Sequence, residues 1–340
     1  MVVSCQFVES WRPATNFCFP AALLPDNEQP ATDNYSALTF ELRILGSASA
    51  TPTVGRHPTA QVLTVGAQHY LIDCGEGTQW QMLEYRVRPH HLRAIFISHL
   101  HGDHYFGLFG LLGTMHLQGR TQPLAIIGPP GLDEVLVTQS RVSGVQMGFQ
   151  IEFTVVDTEA HALVYEDASL RVHSLPMRHR VPCAGYLFEE QPRRANLLKD
   201  KLPAGLTPAQ LARLAQGDDL PADEQQPGLR HADVAGPAPT PRRYAFFADT
   251  LYTPALAPLI AGADLLYHEA TFLDELRERA AQTHHSTARQ AALLAKAAGV
   301  KQLLLGHFSS RYKALEPLLH EAQPVFPNTA LALEGLVVSL

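Results

Sequence analysis

The chain has 340 residues, of which 46% are hydrophobic and 17% charged, and its formal net charge is −7. This composition supports a large buried core and excludes both a disordered chain and a uniformly basic nucleic-acid coat. It contains no apolar run of the roughly 18 residues that span a bilayer, no recognisable secretion signal and only four scattered cysteines. We therefore expect a cytoplasmic globular protein that needs no disulfide framework.

The predicted elements alternate between strands and helices after an N-terminal segment without periodicity. Residues 1–36 hold four prolines and no sustained hydrophobic period, which indicates an irregular extension. One α/β domain is expected over residues 37–340. Short apolar runs predict strands at 38–46, within 60–73, and at 94–98, 123–128, 244–249, 264–269 and 302–307. Helices are predicted at 105–119, 207–217 and 286–299.

Residues 191–243 differ in composition from the segments on either side. They contain one short helical pattern and then five prolines between positions 221 and 241. Such a stretch is typical of a surface insertion rather than of a core element. Five lysines and arginines stand against one aspartate between residues 193 and 213, although the chain as a whole is acidic. This charge run is consistent with a solvated face or with a local anion-binding surface.

The motif HxHxDH at residues 99–104 directly follows the predicted strand at 94–98. It places four potential metal ligands, His99, His101, Asp103 and His104, within six residues. Imidazole nitrogens and carboxylate oxygens are ligands that zinc prefers. The alternation aims His99 and His101 in one direction, which leaves Asp103 and His104 for a second ion.

Three later histidines or aspartates also follow apolar runs. They are His179, Asp249 and His307, and they are expected to converge because functional groups of α/β folds gather beyond the carboxyl ends of strands. His173 is an alternative to His179 for the third position. The full set suits two zinc ions, with three ligands on each and Asp249 bridging both.

These motifs resemble those of the metallo-β-lactamase superfamily and, within it, of ribonuclease Z, the tRNA 3′-processing endoribonuclease. HxHxDH alone is typical of the superfamily, whereas the remaining motifs in this order are typical of the ribonuclease Z branch. The resemblance covers about residues 38–340. The segments that carry it are LIDCGEGTQ (71–79), SHLHGDHYFGL (98–108), HEAT (268–271), HST (285–287) and GHFSSRY (306–312).

The resemblance implies an αββα sandwich with an inserted substrate arm and a dinuclear zinc site. It implies as ligands His99, His101, Asp103, His104, His179, Asp249 and His307. It also implies precursor tRNA as the substrate and a homodimer as the assembly. The arm of such enzymes lies where residues 191–243 lie, although this segment lacks their Gly-rich GxP signature.

Catalytic roles follow from the chemistry of phosphodiester hydrolysis at two zinc ions. Asp103 is the candidate to orient the attacking water and accept its proton. His285 is the candidate acid for the departing ribose oxygen, and its neighbour His284 is expected to face solvent. His268 and Glu269 are candidates to support the site from behind the ligands.

Two arginines are candidates for contact with substrate phosphate. Arg311, within HFSSRY, offers a fork of donors that matches phosphate geometry. Arg56 is the second candidate for phosphate contact, and its assignment depends only on the resemblance.

Three other functions compete with a tRNA 3′-endonuclease. A general phosphodiesterase for small or cyclic nucleotides would share every ligand and differ in the arm. A binding protein with an inactive fold is disfavoured because all seven candidate ligands are present. A thioester or lactam hydrolase is disfavoured by the HST and HFSSRY segments.

Overall fold

The computed structural model describes residues 39–222 and 228–340. The irregular extension expected at residues 1–36 lies outside these ranges. The strands, in chain order, are β1 (Phe40–Gly46), β2 (Ala60–Val65), β3 (Gln68–Cys74), β4 (Leu92–Phe96), β5 (Leu124–Gly128), β6 (Ile151–Val155), β7 (Leu163–Glu166), β8 (Leu170–Pro176), β9 (Ala184–Glu190), β10 (Arg243–Phe247), β11 (Leu265–Glu269), β12 (Gln302–Gly306), β13 (Thr329–Leu331) and β14 (Val337–Ser339). The α-helices are α1 (Thr78–Glu84), α2 (Gly102–Tyr105), α3 (Leu108–Leu117), α4 (Leu132–Ser143), α5 (Pro208–Ala215), α6 (His231–Val234), α7 (Arg277–Thr283), α8 (Ala288–Ala298) and α9 (Glu316–Ala322).

The strands form two sheets of seven strands each. The first has the order β14-β1-β2-β3-β4-β5-β6, and the second has the order β13-β12-β11-β10-β9-β8-β7. Strands β3 to β6 are parallel, as are β10 to β13. The carboxyl ends of parallel strands share one edge of a sheet, so the loops that follow them meet there.

The two sheets pack face to face, with helices on the outer faces. In β4, the alternate residues Ala94 and Phe96 belong to the core between the sheets, whereas Ile95 packs on the helix side. The Phe96 ring contacts that of Phe188 in β9 across the sandwich, with ring centroids 5.1 Å apart. Burial on both faces explains why this strand reads as a continuous apolar run. The predicted αββα sandwich is confirmed.

The helices cover the outer faces of both sheets. Helices α1, α3 and α4 contribute Met82, Leu111 and Leu136 to a core on the first sheet, and α8 packs on β11 and β12. The helix predicted at 105–119 is present as α3, which begins three residues later and ends two residues earlier than predicted. At α8, the side chain of Thr287 accepts a hydrogen bond from the Gln290 amide, so the helix begins after Thr287.

The described residues between β9 and β10 form a small substructure of their own. Leu214, Leu220 and Val234 make a separate buried cluster, and Leu220 pairs with Leu229 in an isolated bridge. The predicted short helix is present as α5, with Thr207 as its cap. The segment is therefore an organised insertion rather than a simple loop.

None of the helices in the described ranges has the length and apolar character needed to cross a bilayer.

Candidate metal centre

The predicted ligands lie together, and all except His179, which follows the antiparallel strand β8, come after strands of the parallel parts of the sheets. His99 follows β4, Asp249 follows β10 and His307 follows β12 directly. Asp103 and His104 lie in the single turn of α2. The convergence expected from the sequence is thus present in the structure.

A first group of ligand atoms is centred on His101. Its Nδ1 lies 3.0 Å from His99 Nε2 and 3.1 Å from His179 Nε2. Oδ2 of Asp249 lies 3.7 Å from His99 Nε2 and 3.8 Å from His179 Nε2. All four ligand atoms lie within 4.8 Å of one another, which is close enough to share one ion.

A second group faces the other oxygen of Asp249. Oδ1 of Asp249 lies 3.5 Å from His104 Nε2 and 3.2 Å from His307 Nε2. Asp103 Oδ2 lies 3.4 Å from His104 Nε2 and 3.3 Å from His307 Nε2. The two carboxylate oxygens of Asp249 therefore point to different ligand groups, which is the geometry expected of a bridging carboxylate.

The spacing and chemistry of both groups fit divalent metal ions. Ligands bonded to zinc at 2.0–2.1 Å in a tetrahedron lie about 3.3–3.4 Å apart, close to the separations in both groups. Asp249 Oδ1 is buried and has no hydrogen-bond partner among the described residues. A buried carboxylate oxygen without a donor is costly unless a cation satisfies it. The residue set can therefore hold metal.

The pKa of His104 also shows that the buried carboxylates of this cluster favour a positive charge beside them. Burial opposes its charged form, yet the carboxylates of Asp103, Asp249 and Asp73 hold its pKa well above the usual value. In the first group, by contrast, burial lowers the pKa of His179 to about 4. His179 is thus a neutral imidazole at physiological pH, the form that ligates metals.

Asp73 is a functional residue for which no role was predicted from the sequence. Its Oδ2 accepts a hydrogen bond from His104 Nδ1 at 2.7 Å, and its Oδ1 accepts one from the Ser98 amide at 2.7 Å. Asp73 is fully buried and has a φ of 56°, in the left-handed region. It fixes the ring of His104 with Nε2 toward the second ligand group. The only sequence signal is its place in the LIDCGEGTQ motif.

His285 and Glu269 form a hydrogen-bonded pair beside the ligands. His285 Nδ1 lies 2.9 Å from Glu269 Oε1, so Nε2 is the ring nitrogen available to a molecule in the cavity. Burial opposes the charged form of His285, but Glu269 and Asp249 raise its pKa to about 9. His285 is therefore an imidazolium at neutral pH, as a general acid must be.

Thr271 connects this pair to the metal ligands. Its hydroxyl donates to Glu269 Oε2 at 2.6 Å and lies 2.9 Å from His307 Nδ1. Thr271 and Glu269 thus hold both His285 and His307 in place. The HEAT motif indicated Glu269, whereas no separate role was predicted for Thr271.

A cavity of about 350 Å³ lies over the two ligand groups, and His285 forms part of its wall. Arg311 also lines it, with its guanidinium 5.0 Å from the Phe272 ring centroid. Two further arginines, Arg180 and Arg279, line the cavity and were not predicted from the sequence. Both are exposed and neither has a role in a motif, so no sequence pattern distinguishes them from ordinary surface residues.

Three other sequence candidates lie outside the lining of this cavity. His268 is fully buried, with Nδ1 2.7 Å from the carbonyl of Glu269. Arg56 donates to the Tyr312 carbonyl at 2.7 Å. His173, on β8, lies 3.2 Å from Glu189 of β9, whereas His179 lies with His99 and His101 in the first ligand group.

Known proteins with similar sequences share almost the whole described domain. A protein curated as Ribonuclease Z from Bacteroides fragilis is 43% identical over 302 residues, which are 88% of this chain and 99% of that protein. Ribonuclease Z from Cytophaga hutchinsonii is 44% identical over 298 residues, covering 88% of this chain and 95% of that protein. A family profile described as "Anti-Pycsar protein Apyc1" matches residues 40–181.

Solved structures show the same architecture. The short form of human tRNase Z superposes with a TM-score of 0.64 at 27% identity, covering 88% of this chain and 98% of that one. The metallo-β-lactamase fold protein YhfI from Bacillus subtilis gives 0.63 at 18% identity, covering 88% and 99%. The latter likeness shows the fold, which is that of the metallo-β-lactamases. Together with the identity to its curated relatives over most of its length, these comparisons show that the chain belongs to the ribonuclease Z family.

Proposed function

We propose that this chain is a cytoplasmic zinc-dependent endoribonuclease that removes the 3′ trailer from precursor tRNA. It hydrolyses the phosphodiester after the discriminator nucleotide, leaving a 3′-hydroxyl on the tRNA and a 5′-phosphate on the trailer. One observation carries the proposal. In a chain of the ribonuclease Z family, His285, which is hydrogen-bonded to Glu269, lines the same cavity as members of both ligand groups.

The donor set supports two zinc ions. Five imidazoles and two carboxylates, with Asp249 between the groups, match the nitrogen and oxygen ligands that zinc takes. When bound, such ions supply Lewis acidity at phosphoryl oxygens and lower the pKa of water toward neutrality.

The chain's own residues carry the proton transfers. Asp103 lines the cavity, and we assign it the role of orienting the attacking water and accepting its proton. His285, on the cavity wall, donates its Nε2 proton to the ribose 3′-oxygen as the bond from phosphorus to that oxygen breaks. Glu269 holds the imidazolium in place through Nδ1. We assign Arg311, which lines the cavity, the role of binding a non-bridging phosphate oxygen.

The insertion between β9 and β10 is our candidate for the contact with the body of the tRNA. Lys199, Lys201 and Arg213 are exposed on it, whereas Arg193 is paired with Glu190 at 3.2 Å. Exposed cations without a structural role supply the sequence-independent part of nucleic-acid affinity. The buried cluster of Leu214, Leu220 and Val234 stabilises the segment that carries these cations.

A homodimer is supported by exposed apolar side chains on neighbouring helices. Trp80 and Leu83 of α1 are 66% and 71% exposed, and Leu117 at the end of α3 is 85% exposed. Phe106, just before α3, is 65% exposed. Helices α1 and α3 contact each other, so these exposed side chains lie on or next to neighbouring helices. Such patches on soluble proteins mark interaction surfaces, and we assign this one to a second copy of the chain.

Precursor tRNA with mapped product ends tests the function. We expect one cut after the discriminator nucleotide, loss of activity on chelation and recovery with zinc, and two ions per chain by elemental analysis. The competing function, a phosphodiesterase for small or cyclic nucleotides, predicts fast hydrolysis of those compounds and no defined cut in tRNA. That result would overturn the proposal.

A further inference from the structure

The cavity over the ligands is lined by more positive charge than the metal centre and Arg311 account for. Arg180, Arg279 and Arg311 all line it. The carboxylates that line it are Asp103 and Asp249, and both belong to the ligand groups. The guanidinium groups of Arg180 and Arg279 therefore have no carboxylate of the cavity wall, outside the ligand groups, as a partner.

Arg180 and Arg311 follow ligands of different groups along the chain. Arg180 directly follows His179 of the first group, whereas Arg311 lies four residues after His307 of the second group. The His284 carbonyl, just beyond α7, lies 3.0 Å from His179 Nδ1. This contact ties the end of α7, the helix that carries Arg279, to the Arg180 side of the cavity.

Neither Arg180 nor Arg279 is used to hold the fold. In the part of the chain that the structure describes, neither side chain has a carboxylate within ion-pair distance, and both are exposed. The nearby Arg277, by contrast, is paired with Asp274 at 2.5 Å.

We infer that Arg180 and Arg279 bind a second phosphate of the substrate, adjacent to the scissile one. The inference rests on the proposed function and adds a basis for its selectivity. Unpaired guanidinium groups present the planar fork that matches phosphate oxygens. A polynucleotide carries a neighbouring phosphate on each side of the cut, whereas an isolated diester carries none. The site therefore favours a chain of nucleotides over a small phosphodiester.

The first test compares two substrates in Arg180→Ala, Arg279→Ala and the double variant. For precursor tRNA we expect kcat/KM to fall about tenfold to hundredfold, the usual effect of losing a hydrogen bond to a charged group. Hydrolysis of bis(p-nitrophenyl) phosphate should stay within about twofold of the wild type. The matched control is Arg178→Ala, since Arg178 is exposed two residues away and does not line the cavity. Equal losses on both substrates would overturn the inference.

The second test identifies the phosphate. Precursor tRNA is made with an uncharged methylphosphonate at the phosphate on either side of the cut. The double variant and one of these replacements should be non-additive, because each removes the same interaction. Full additivity at both positions would refute the contact.

The failure of the proposed function is distinguishable from the failure of this inference. If the wild type makes no defined cut in precursor tRNA, the proposed function is wrong. The arginine variants are then compared on a single-stranded RNA oligonucleotide and on the small diester. A loss confined to the oligonucleotide supports the second phosphate site on its own, and no such difference refutes it.

Discussion

Replacing His285 by alanine tests the proton donor without dismantling the site around it. Glu269 Oε1 accepts a hydrogen bond from the Thr250 amide at 3.0 Å as well as contacting His285. Glu269 Oε2 is bonded to Thr271. The buried carboxylate therefore keeps partners when the imidazole is removed, and the ligand His307 keeps its contact with Thr271. We expect His285→Ala to fold and to retain metal.

The size of the effect follows from the role of the proton. A positioned general acid contributes about 10² to 10⁴ in rate, which is about 3–5 kcal/mol of transition-state stabilisation. Precursor tRNA should show this loss in kcat, because a ribose oxygen leaves poorly without a proton. Bis(p-nitrophenyl) phosphate has a leaving group that is stable as an anion, so its hydrolysis should lose much less.

The pH profile gives a second measurement of the same proton. The pKa of His285 is raised to about 9, so the acid is present below that pH and lost as the pH rises through it. Bound divalent ions repel the imidazolium and place the fall in rate at or below this value. The wild type should lose activity on precursor tRNA as the pH rises through this range. The pH profile of His285→Ala should lack this decrease.

The control is the neighbouring histidine, changed in a way that its backbone tolerates. His284 has a φ of 58°, which alanine adopts poorly and asparagine accepts. His284→Asn also keeps the carbonyl that contacts His179, and it should stay near wild-type activity. If His285→Ala slows both substrates equally, or loses metal, then His285 is a structural residue and not the acid.

Three further variants test other parts of the molecule. Asp73→Asn weakens the hold on the His104 ring, so metal affinity should fall about 10- to 100-fold in a chelator competition, and unchanged affinity would contradict the orienting role. Trp80→Glu should convert a dimer to monomers in sedimentation velocity, whereas a monomeric wild type would refute the dimer surface. The double variant Lys199→Ala, Lys201→Ala should cleave precursor tRNA more slowly. The slope of log affinity for precursor tRNA against log salt concentration should become less steep by about 0.7–0.9 for each phosphate that the variant no longer neutralises. An equal effect on a small diester would instead assign these lysines to the fold.

Much of the fold was predictable because its strands are short and apolar. The apolar run at 94–98 predicts a strand, and the structure has β4 at Leu92–Phe96, two residues earlier, with both faces buried. The start of α3 at Leu108 is not predictable from the sequence, because the apolar pattern begins at Tyr105. Gly107 lies just before α3, and a side chain at this position would collide with the backbone oxygen of Gly75. Such a contact joins distant segments and leaves no local signal.

The candidate ligands were predictable for a different reason. HxHxDH is compact, and each later ligand follows a strand whose end is fixed by the sheet. The groups that orient the ligands lack such a pattern. Asp73 contacts His104 across 31 residues, and Thr271 contacts His307 across 36. Aspartate and threonine at strand ends are common, so only the folded chain shows which of them support a ligand.

The charge balance of the site explains why its metal and its acid belong together. Asp73, Asp103, Asp249 and Glu269 are all at least nine-tenths buried within one cluster. Four carboxylates in a poorly solvated space repel one another, and each needs a cation or a donor to remain ionised. Glu269 obtains its cation from His285, which is why the pKa of Glu269 is lowered to about 2 despite burial. Asp73, Asp103 and Asp249 all raise the pKa of His104. Asp103 and Asp249 also belong to the ligand groups, where a metal ion would supply positive charge. The negative field of these carboxylates therefore attracts cations to the ligand groups and also favours the protonated form of His285. A single cluster of carboxylates can thus serve both the proposed metal centre and the proposed acid.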